Sequence, residues 1–212
     1  MLDLYHRRFG GKPLGKRDFV VSADEKTGLQ ALSRIHPSAP PAPKRPMKVE
    51  HEYTRHGTLA YLAAWDVHRA KLFGRCEDTT GIAPFERLVA QIMTTQPYAA
   101  ARRVFIIVDN GSSHRGQASI DRTRNAWPTA RLIHLPVHAS WLNQIEIYFS
   151  ILTRKLLTPT NFADLDQLAH CLLAFQDYYQ QIATPFEWKF TRDDLHRVLT
   201  RLPADTPTIQ AA

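Results

Sequence analysis

Apolar and polar positions alternate with different periods along the chain, and each period predicts a type of element. In DFVVSADEKTGLQ, apolar residues such as Phe19 and Val21 fall on every second position, a pattern typical of a strand, with Asp24 at its far end. Residues 104–108, VFIIV, form an unbroken apolar run that suits a strand covered on both faces. This second strand continues directly into Asp109.

Strand-like and helical segments follow each other through the middle of the chain. TLAYLAAWDVHRAKLFGRCE is typical of two strands joined by a turn at Asp66, and ARLIHLP is typical of another strand. Helical spacing of apolar residues predicts helices through Phe85 and Ile92, at about 117–126 and at about 143–157. This alternation of strands and helices predicts an α/β fold with a layered sheet.

The C-terminal part is predicted to be helical and to pack on the sheet. One helix carries an apolar stripe, and a second begins at FTRDDL, where Thr191 and Asp194 have the spacing of a capping box. The stripe consists of Leu165, Leu168, Leu172, Phe175 and Tyr179.

Composition narrows the class of protein. Of the 212 residues, 44% are hydrophobic and 10% aromatic, which is ample for a globular core. The two cysteines, Cys76 and Cys171, lie far apart, and the sequence shows neither a signal peptide nor an apolar run of membrane length. We therefore expect a soluble protein of the reducing cytoplasm.

The charge balance favours a polyanionic partner. Twenty-seven Lys and Arg against 20 Asp and Glu give a net charge of +7. Five prolines between positions 37 and 46 predict a polyproline-like surface loop, which neighbouring basic residues make positive. We expect DNA-backbone contacts from basic residues of the first 17 positions and of this loop, the alternative being an ordinary solvated surface. These residues are Arg7, Arg8, Lys12, Lys16, Arg17, Lys44, Arg45 and Lys48.

Three carboxylates lie at predicted element ends, and two of them also have a purely structural interpretation. Asp24 ends the first strand, and Asp109 ends the central one but also begins Asp-Asn-Gly, a typical turn sequence. Glu146 lies in the first turn of a predicted helix, three residues after Asn143, which also fits a capping box with Asn143 as the N-cap.

In an α/β sheet, the carboxyl ends of the strands meet at one edge, so these carboxylates can converge there. Clustered carboxylates repel one another unless a cation neutralises them. Mg²⁺ and Mn²⁺ bind through one or two carboxylates, water and substrate phosphate oxygens, and two such ions ~3.5–4 Å apart serve the attacking and leaving oxygens of a phosphodiester. The sequence therefore predicts metal-dependent phosphodiester cleavage.

Four motifs carry a resemblance to a known family. SADEKTGLQ, VDNGSSHRG, ASWLNQIEIYFSILTRK and FEWKFTRDDLHRVLTRL resemble the catalytic half of bacterial insertion-sequence transposases in the mariner-like DDE superfamily, from about Leu2 to Leu202. The 36 residues between Asp109 and Glu146 agree with the spacing in that family. The resemblance implies a ribonuclease H-like mixed sheet flanked by helices, in which Asp24, Asp109 and Glu146 hold two divalent ions, Mg²⁺ or Mn²⁺.

The resemblance also implies a reaction and its partners. In such transposases, water attacks a DNA phosphodiester first, and the freed 3′-hydroxyl then attacks the target, without a covalent enzyme–DNA intermediate. The partners are transposon ends and target DNA. Relatives act as dimers or larger assemblies, so a homodimer is expected.

Four residues near the carboxylates are candidate substrate contacts: His114, Asn110, Asn143 and Trp141. His114 falls where related transposases often carry a histidine that could reach the DNA phosphate, the alternative being a solvent-exposed loop histidine. Trp141 stands where many relatives have an aspartate. It could stack on an unpaired base, although a large aromatic before a helix is more often an apolar staple in the core.

The front of the chain departs from the family. Relatives carry a helix-turn-helix DNA-binding region before the first catalytic strand, and it is not recognisable in the 17 residues before Asp18. We expect a basic leader at 1–17, a catalytic domain at 18–202 and a tail at 203–212, together forming a truncated transposase. The alternatives are a stand-alone ribonuclease H-like nuclease and a silent DNA-binding or dimerising remnant.

Asp66 is disfavoured as a triad member because it lies in a predicted hairpin turn.

Overall fold

The structure is a computed structural model that describes residues 1–36, 39–48, 51–137, 139–158 and 161–200. The expected tail lies outside the described residues, as do positions 37 and 38 of the proline-rich stretch.

A five-stranded mixed sheet forms the centre of the fold. Its strand order is β5-β4-β3-β6-β7, and β3 pairs antiparallel with β4 but parallel with β6. This confirms the predicted α/β fold with a mixed sheet. The strands are β3 (Asp18–Arg34), β4 (Tyr53–Asp66), β5 (Leu72–Glu77), β6 (Arg103–Val108) and β7 (Ala130–His134), and a separate short hairpin consists of β1 (Arg8–Phe9) and β2 (Lys12–Pro13).

Helices cover both faces of the sheet. One face packs on α2 through residues such as Phe85, with α3 at its margin, and the other packs on α1, α4 and α5. Val20 and Val21 of β3 point to opposite faces and are both fully buried. The helices are α1 (Leu2–Tyr5), α2 (Ile82–Thr94), α3 (Gly116–Ala126), α4 (Ile145–Leu152), α5 (Leu165–Ile182) and α6 (Arg192–Leu199), and a π-helical turn, Thr153–Leu157, continues α4.

The expected C-terminal helices are present and contact the core that α4 shares with the sheet. The capping box of α6 is confirmed. Asp194 Oδ2 accepts a hydrogen bond from the backbone N–H of Thr191 at 2.8 Å, and Thr191 Oγ1 accepts one from the N–H of Asp194 at 3.2 Å. Among the described helices, none has the length and apolar character needed to cross a bilayer.

The prediction that the first strand ends at Asp24 is wrong. β3 continues ten residues further, to Arg34, because its antiparallel ladder with β4 continues as far as the pair Arg34–Tyr53. The parallel ladder with β6, in contrast, stops at the pair Ser22–Ile107. Asp24 therefore lies in the middle of a long strand but just beyond the last parallel pair.

The outer halves of β3 and β4 form a hairpin arm, and the basic proline-rich stretch lies at its end. The surface position is confirmed, because the described residues 39–48 are exposed. The polyproline-like conformation is not, because isolated bridges join Ala39 to Lys48 and Ala42 to Arg45 across the tip. Prolines fit there because they occupy positions outside these pairs.

Residues 1–17, expected as a basic leader, have structure of their own. Leu4 of α1 is 1% exposed, and the hydroxyl of Tyr5 donates a hydrogen bond to the carbonyl of Leu142 at 2.8 Å. The segment therefore packs on the same core as α4. The domain boundaries at 17 and 202 stay predictions.

Candidate active site

Two of the three carboxylates are brought level by the parallel pairing of β3 and β6. Their register pairs Ser22 with Ile107, and two further residues along each strand reach Asp24 and Asp109. The apolar run of β6 is fully buried, so the backbone that presents Asp109 is held by the core. The first part of the predicted convergence is therefore present.

Asn143 ties the start of α4 to this edge of the sheet. Its Nδ2 donates to the carbonyl of Ala23 at 3.0 Å and to Asp24 Oδ2 at 3.2 Å, and its Oδ1 accepts from the hydroxyl of Ser22. The same hydroxyl accepts from the N–H of Ile145 at 3.1 Å. These bonds fix the beginning of α4 against the carboxylate-bearing part of β3.

The capping-box interpretation of this helix is wrong. Gln144 occupies the N-cap position without a side-chain capping bond. The side chain of Asn143 is 1% exposed and forms its hydrogen bonds with residues of β3 instead. Glu146 is exposed at the start of α4. It is free of a capping role and lies close enough to influence Asp24 electrostatically.

Burial and neighbouring carboxylates raise the cost of ionising Asp24 at this edge. Asp24 is 9% exposed, and its pKa is raised to about 7, first by burial and then by the negative charge of Asp109. The charges of Glu25 and Glu146 add smaller effects of the same sign, whereas the hydrogen bond from the backbone N–H of Glu25 to Asp24 Oδ1 lowers the pKa. The structure thus places three acidic residues, Asp109, Glu25 and Glu146, around the buried carboxyl group of Asp24.

His114 lies between two of these carboxylates. It is fully buried, with Nε2 2.5 Å from Asp109 Oδ1 and Nδ1 2.9 Å from the hydroxyl of Ser113. That hydroxyl donates to Glu25 Oε1 at 3.0 Å. The hydrogen bond from His114 is the main reason why the pKa of Asp109 is lowered. The interpretation of His114 as a solvent-exposed loop residue is wrong, and contact with a DNA phosphate stays a prediction.

The turn interpretation of Asp-Asn-Gly and its role as a carboxylate site are compatible. Asp109 Oδ1 accepts the N–H of Gly111 at 2.7 Å, and Asn110 Nδ2 donates to the carbonyl of Leu135 at 2.7 Å. A Cβ at Gly111 would lie 3.0 Å from Asp109 Oδ1 and 3.1 Å from the His114 ring. Glycine therefore permits the close approach of turn, carboxylate and imidazole.

The interpretation of Trp141 as an apolar staple in the core is wrong. Its side chain is 52% exposed and makes one edge-to-face contact with Phe190, at 5.2 Å between ring centroids. An exposed ring beside the loop that carries Asn143 leaves stacking on a base as a prediction.

Asp66 has the structural role expected of a turn residue. Its carboxylate accepts hydrogen bonds from the backbone of His68 and Arg69, each at 3.0 Å, and from the hydroxyl of Tyr98 at 2.6 Å. Asp66 is 1% exposed and is the last residue of β4, at the end of the strand opposite to the hairpin arm.

The predicted DNA-backbone residues do not surround the carboxylates. Lys16 and Arg7 line a small cavity with Asp18 at the beginning of β3, and Arg17 donates to the carbonyl of Ala100. Asp24 lies six residues further along the strand, or about 20 Å at the rise of a strand. Arg8 and Lys12 lie on the β1–β2 hairpin, and Lys44, Arg45 and Lys48 lie at the tip of the hairpin arm.

Sequence reasoning did not find Glu25 and Ser113. Alternation along β3 directs Glu25 to the opposite side from Asp24, where it meets the loop after β6. The only signal in the sequence is adjacency, because each residue directly neighbours a candidate, Asp24 or His114.

The oxygen ligands of this edge suit a hard divalent cation. Across the described part of the chain, no three His, Cys, Asp or Glu side chains are arranged to hold a metal ion. Mg²⁺ and Mn²⁺ nevertheless require only one or two carboxylates, with water and phosphate oxygens completing the shell. Unneutralised negative charge around Asp24 is the feature that a cation would relieve. The donor set therefore fits such an ion.

A comparison with known protein families assigns the chain to one of them. A family model described as DDE superfamily endonuclease matches residues 20–169, which include Asp24, Asp109 and Glu146. The chain belongs to this family. Curated protein sequences gave no match to this DDE endonuclease.

Solved structures show the same fold. The Mos1 mariner paired-end complex with Mn matches with a TM-score of 0.56 and 15% identity, over 76% of this chain and 50% of that one. The Mos1 transposase paired-end complex with left transposon end matches with a TM-score of 0.57 and 15% identity, over 87% and 52%. The DDE endonuclease thus spans about half the length of these structures, and the likeness shows a shared ribonuclease H-like fold.

Proposed function

We propose that this DDE endonuclease is the catalytic domain of a DNA transposase, which cuts DNA strands and transfers them to a target. The observation that carries the proposal is the meeting of Asp24 and Asp109 at the end of the parallel ladder, with the pKa of Asp24 raised to about 7. A pair of carboxylates at one sheet edge, one of them with a raised pKa, is suited to phosphodiester chemistry with a divalent cation.

In this proposal, Asp24, Asp109 and Glu146 hold two divalent ions, Mg²⁺ or Mn²⁺. The ions would supply charge neutralisation and activation of the attacking oxygen. His114 keeps the Asp109 carboxylate in place through its 2.5 Å contact, and Asn143 does the same for Asp24 while fixing the start of α4. Water is the nucleophile of cleavage, and a DNA 3′-hydroxyl is the nucleophile of joining.

DNA is the proposed substrate, as transposon ends and as target. The basic net charge of +7 supports a polyanionic substrate, and the Mos1 structures of the same fold are complexes of paired transposon ends. Pairing of two ends supports a homodimer as the acting form. Free Cys76 and Cys171 suit a reducing cytoplasm.

The test is nicking of supercoiled plasmid at low salt by the purified chain, with Mn²⁺, Mg²⁺ or EDTA. Metal-dependent nicking that Asp109→Asn and Glu146→Gln both abolish is the expected result. Matched controls are Asp166→Asn, at the exposed start of α5, and Glu187→Gln, whose side chain is 81% exposed.

A folded wild-type chain that never nicks, or variants that nick as well as the controls, would overturn the proposal. A joining assay with a pre-cleaved DNA end then separates a transposase from a stand-alone nuclease, because a nuclease releases cut DNA without transferring the 3′-hydroxyl end to a second duplex.

A further inference from the structure

An open groove runs along the outer edge of the sheet. It has a volume of about 320 Å³ and lies where the edge strand β7 meets α3 and the β1–β2 hairpin. Arg103 marks its position on β6, six residues before Asp109. From there its lining extends along β7 to Ile133, which pairs with Ile107 of β6, two residues before Asp109.

The lining of the edge groove is positive. Of the residues that the structure describes, three arginines line it, Arg103, Arg124 and Arg131, and no acidic side chain does. Arg124 is exposed in the last turn of α3 and has no ion-pair partner in the described ranges. Arg131 is oriented by hydrogen bonds from its Nη1 to the carbonyls of Pro128 and Ala130, at 2.6 and 2.7 Å. Cationic groups without carboxylate partners are suited to phosphate oxygens.

An aromatic platform lies beside these arginines. Phe9 is 42% exposed, and its ring centroid is 4.7 Å from that of Phe105. The Arg103 guanidinium lies within 5.6 Å of both ring centroids and donates a hydrogen bond to Asp18. This bond fixes the guanidinium against the two rings. Gly10 and Gly11, with φ of 56° and 76°, make the turn that presents Phe9.

We propose that the edge groove binds a single strand of DNA, with phosphates on Arg124 and Arg131 and an unpaired base stacked on Phe9. An aromatic surface inside a cationic groove is the arrangement that binds unpaired strands with little sequence preference. The inference rests on the proposed function, since that function supplies the DNA.

The experiment measures the Kd of the full chain for a fluorescent 30-nucleotide single strand and for a blunt duplex, by anisotropy at several salt concentrations in EDTA. Arg124→Glu is compared with Lys189→Glu, which makes the same charge change at a residue 79% exposed in a different part of the surface. We expect Arg124→Glu to raise the Kd for the single strand about tenfold and to lower the salt dependence by about one ion, and Lys189→Glu to change both little. Equal effects of the two variants would overturn the proposal.

Phe9→Ala tests the stacking contact, with thermal unfolding as a check on the hairpin. It is expected to raise the Kd for the single strand about tenfold and to leave the Kd for the duplex unchanged. An unchanged Kd for the single strand would overturn the role of Phe9. Because EDTA removes metal-dependent cutting, failure of this binding test is distinct from failure of the plasmid-nicking test.

Discussion

Two aspartates on β3, six residues apart, are both buried but differ in their partners. Asp18 is 3% exposed and accepts hydrogen bonds from the guanidinium groups of Arg102 and Arg103, which hold its pKa well below the usual range. Among the described residues no guanidinium pairs with Asp24, and burial and Asp109 raise its pKa to about 7. Burial alone therefore does not distinguish a structural carboxylate from a candidate catalytic one; the neutralising partner does.

The largest expected effect is a difference in plasmid-nicking rate between substitutions of the two aspartates. Asp24→Asn removes a proposed metal ligand and should lower the plasmid-nicking rate by about 10³-fold, because metal-dependent charge stabilisation contributes several kcal/mol. Asp18→Asn leaves the carboxylate edge intact and should keep the rate within about threefold of wild type, since it makes no contact with the reacting atoms. Initial rates with Mn²⁺ measure both, and an equal loss would remove the distinction.

For the free energy of unfolding, Asp18→Asn should have the larger effect of the two substitutions. Asp18→Asn leaves Arg102 and Arg103 without their shared anion and should lower the free energy of unfolding by about 2 kcal/mol, a typical value for hydrogen bonds to charged groups. The loss is moderate because Arg102 is 58% exposed and water can solvate it. Asp24→Asn removes repulsion and should leave the metal-free protein at least as stable. Urea titration checks both, and a destabilised Asp24→Asn would contradict the comparison.

His114 is the counterpart, near the carboxylate edge, of the arginines that hold Asp18. His114→Ala should lower the nicking rate about 10–100-fold and raise the Mn²⁺ concentration needed for half-maximal rate, because Asp109 loses the contact that orients it. His114→Gln should recover part of the rate by restoring a donor. His170→Ala, on the exposed side of α5, is the matched control, and a loss in rate without any change in Mn²⁺ dependence would indicate a merely structural role.

The sequence predicts local features of this edge well and long-range features poorly. An unbroken apolar run must be covered on both faces, so β6 and the position of Asp109 at its end were predictable. The end of β3 was not, because polar residues and Gly28 interrupt the apolar alternation after Asp24. The alternation returns at the buried Leu29 and Ala31, and pairing with β4 continues to Arg34.

The sequence does not predict which single residues are buried by segments distant in the chain. His114 is enclosed by Phe85, at 4.9 Å between rings, and by Glu25, which is 88 positions from its Ser113 partner. Trp141 meets Phe190 from the C-terminal segment but stays half exposed. A sequence pattern gives the type of such residues but not which distant segment reaches them.

The smallest expected effect is a pH dependence of opposite sign for the two aspartates. An unfolded aspartate has a pKa of about 3.9. With a folded pKa of about 7, Asp24 keeps a proton between these values that the unfolded chain releases, so its contribution to stability is present below about pH 4 and is lost as the pH rises towards 7. The pKa of Asp18 is lowered instead, so its contribution is present above about pH 4 and is lost as the pH falls further.

Urea titrations of metal-free protein at pH 5 and pH 7 test these signs. Relative to Asp24→Asn, the wild type should lose about 1–2 kcal/mol of unfolding free energy between the two pH values, and Asp18→Asn should lose as much as the wild type because its Asp24 is unchanged. Mn²⁺ at pH 7 should restore stability to the wild type but not to Asp24→Asn, since an ion that binds only the folded state stabilises it. A wild type that gains stability towards pH 7 would show that Asp24 is already neutralised without metal, and would remove the main argument for a cation at this edge.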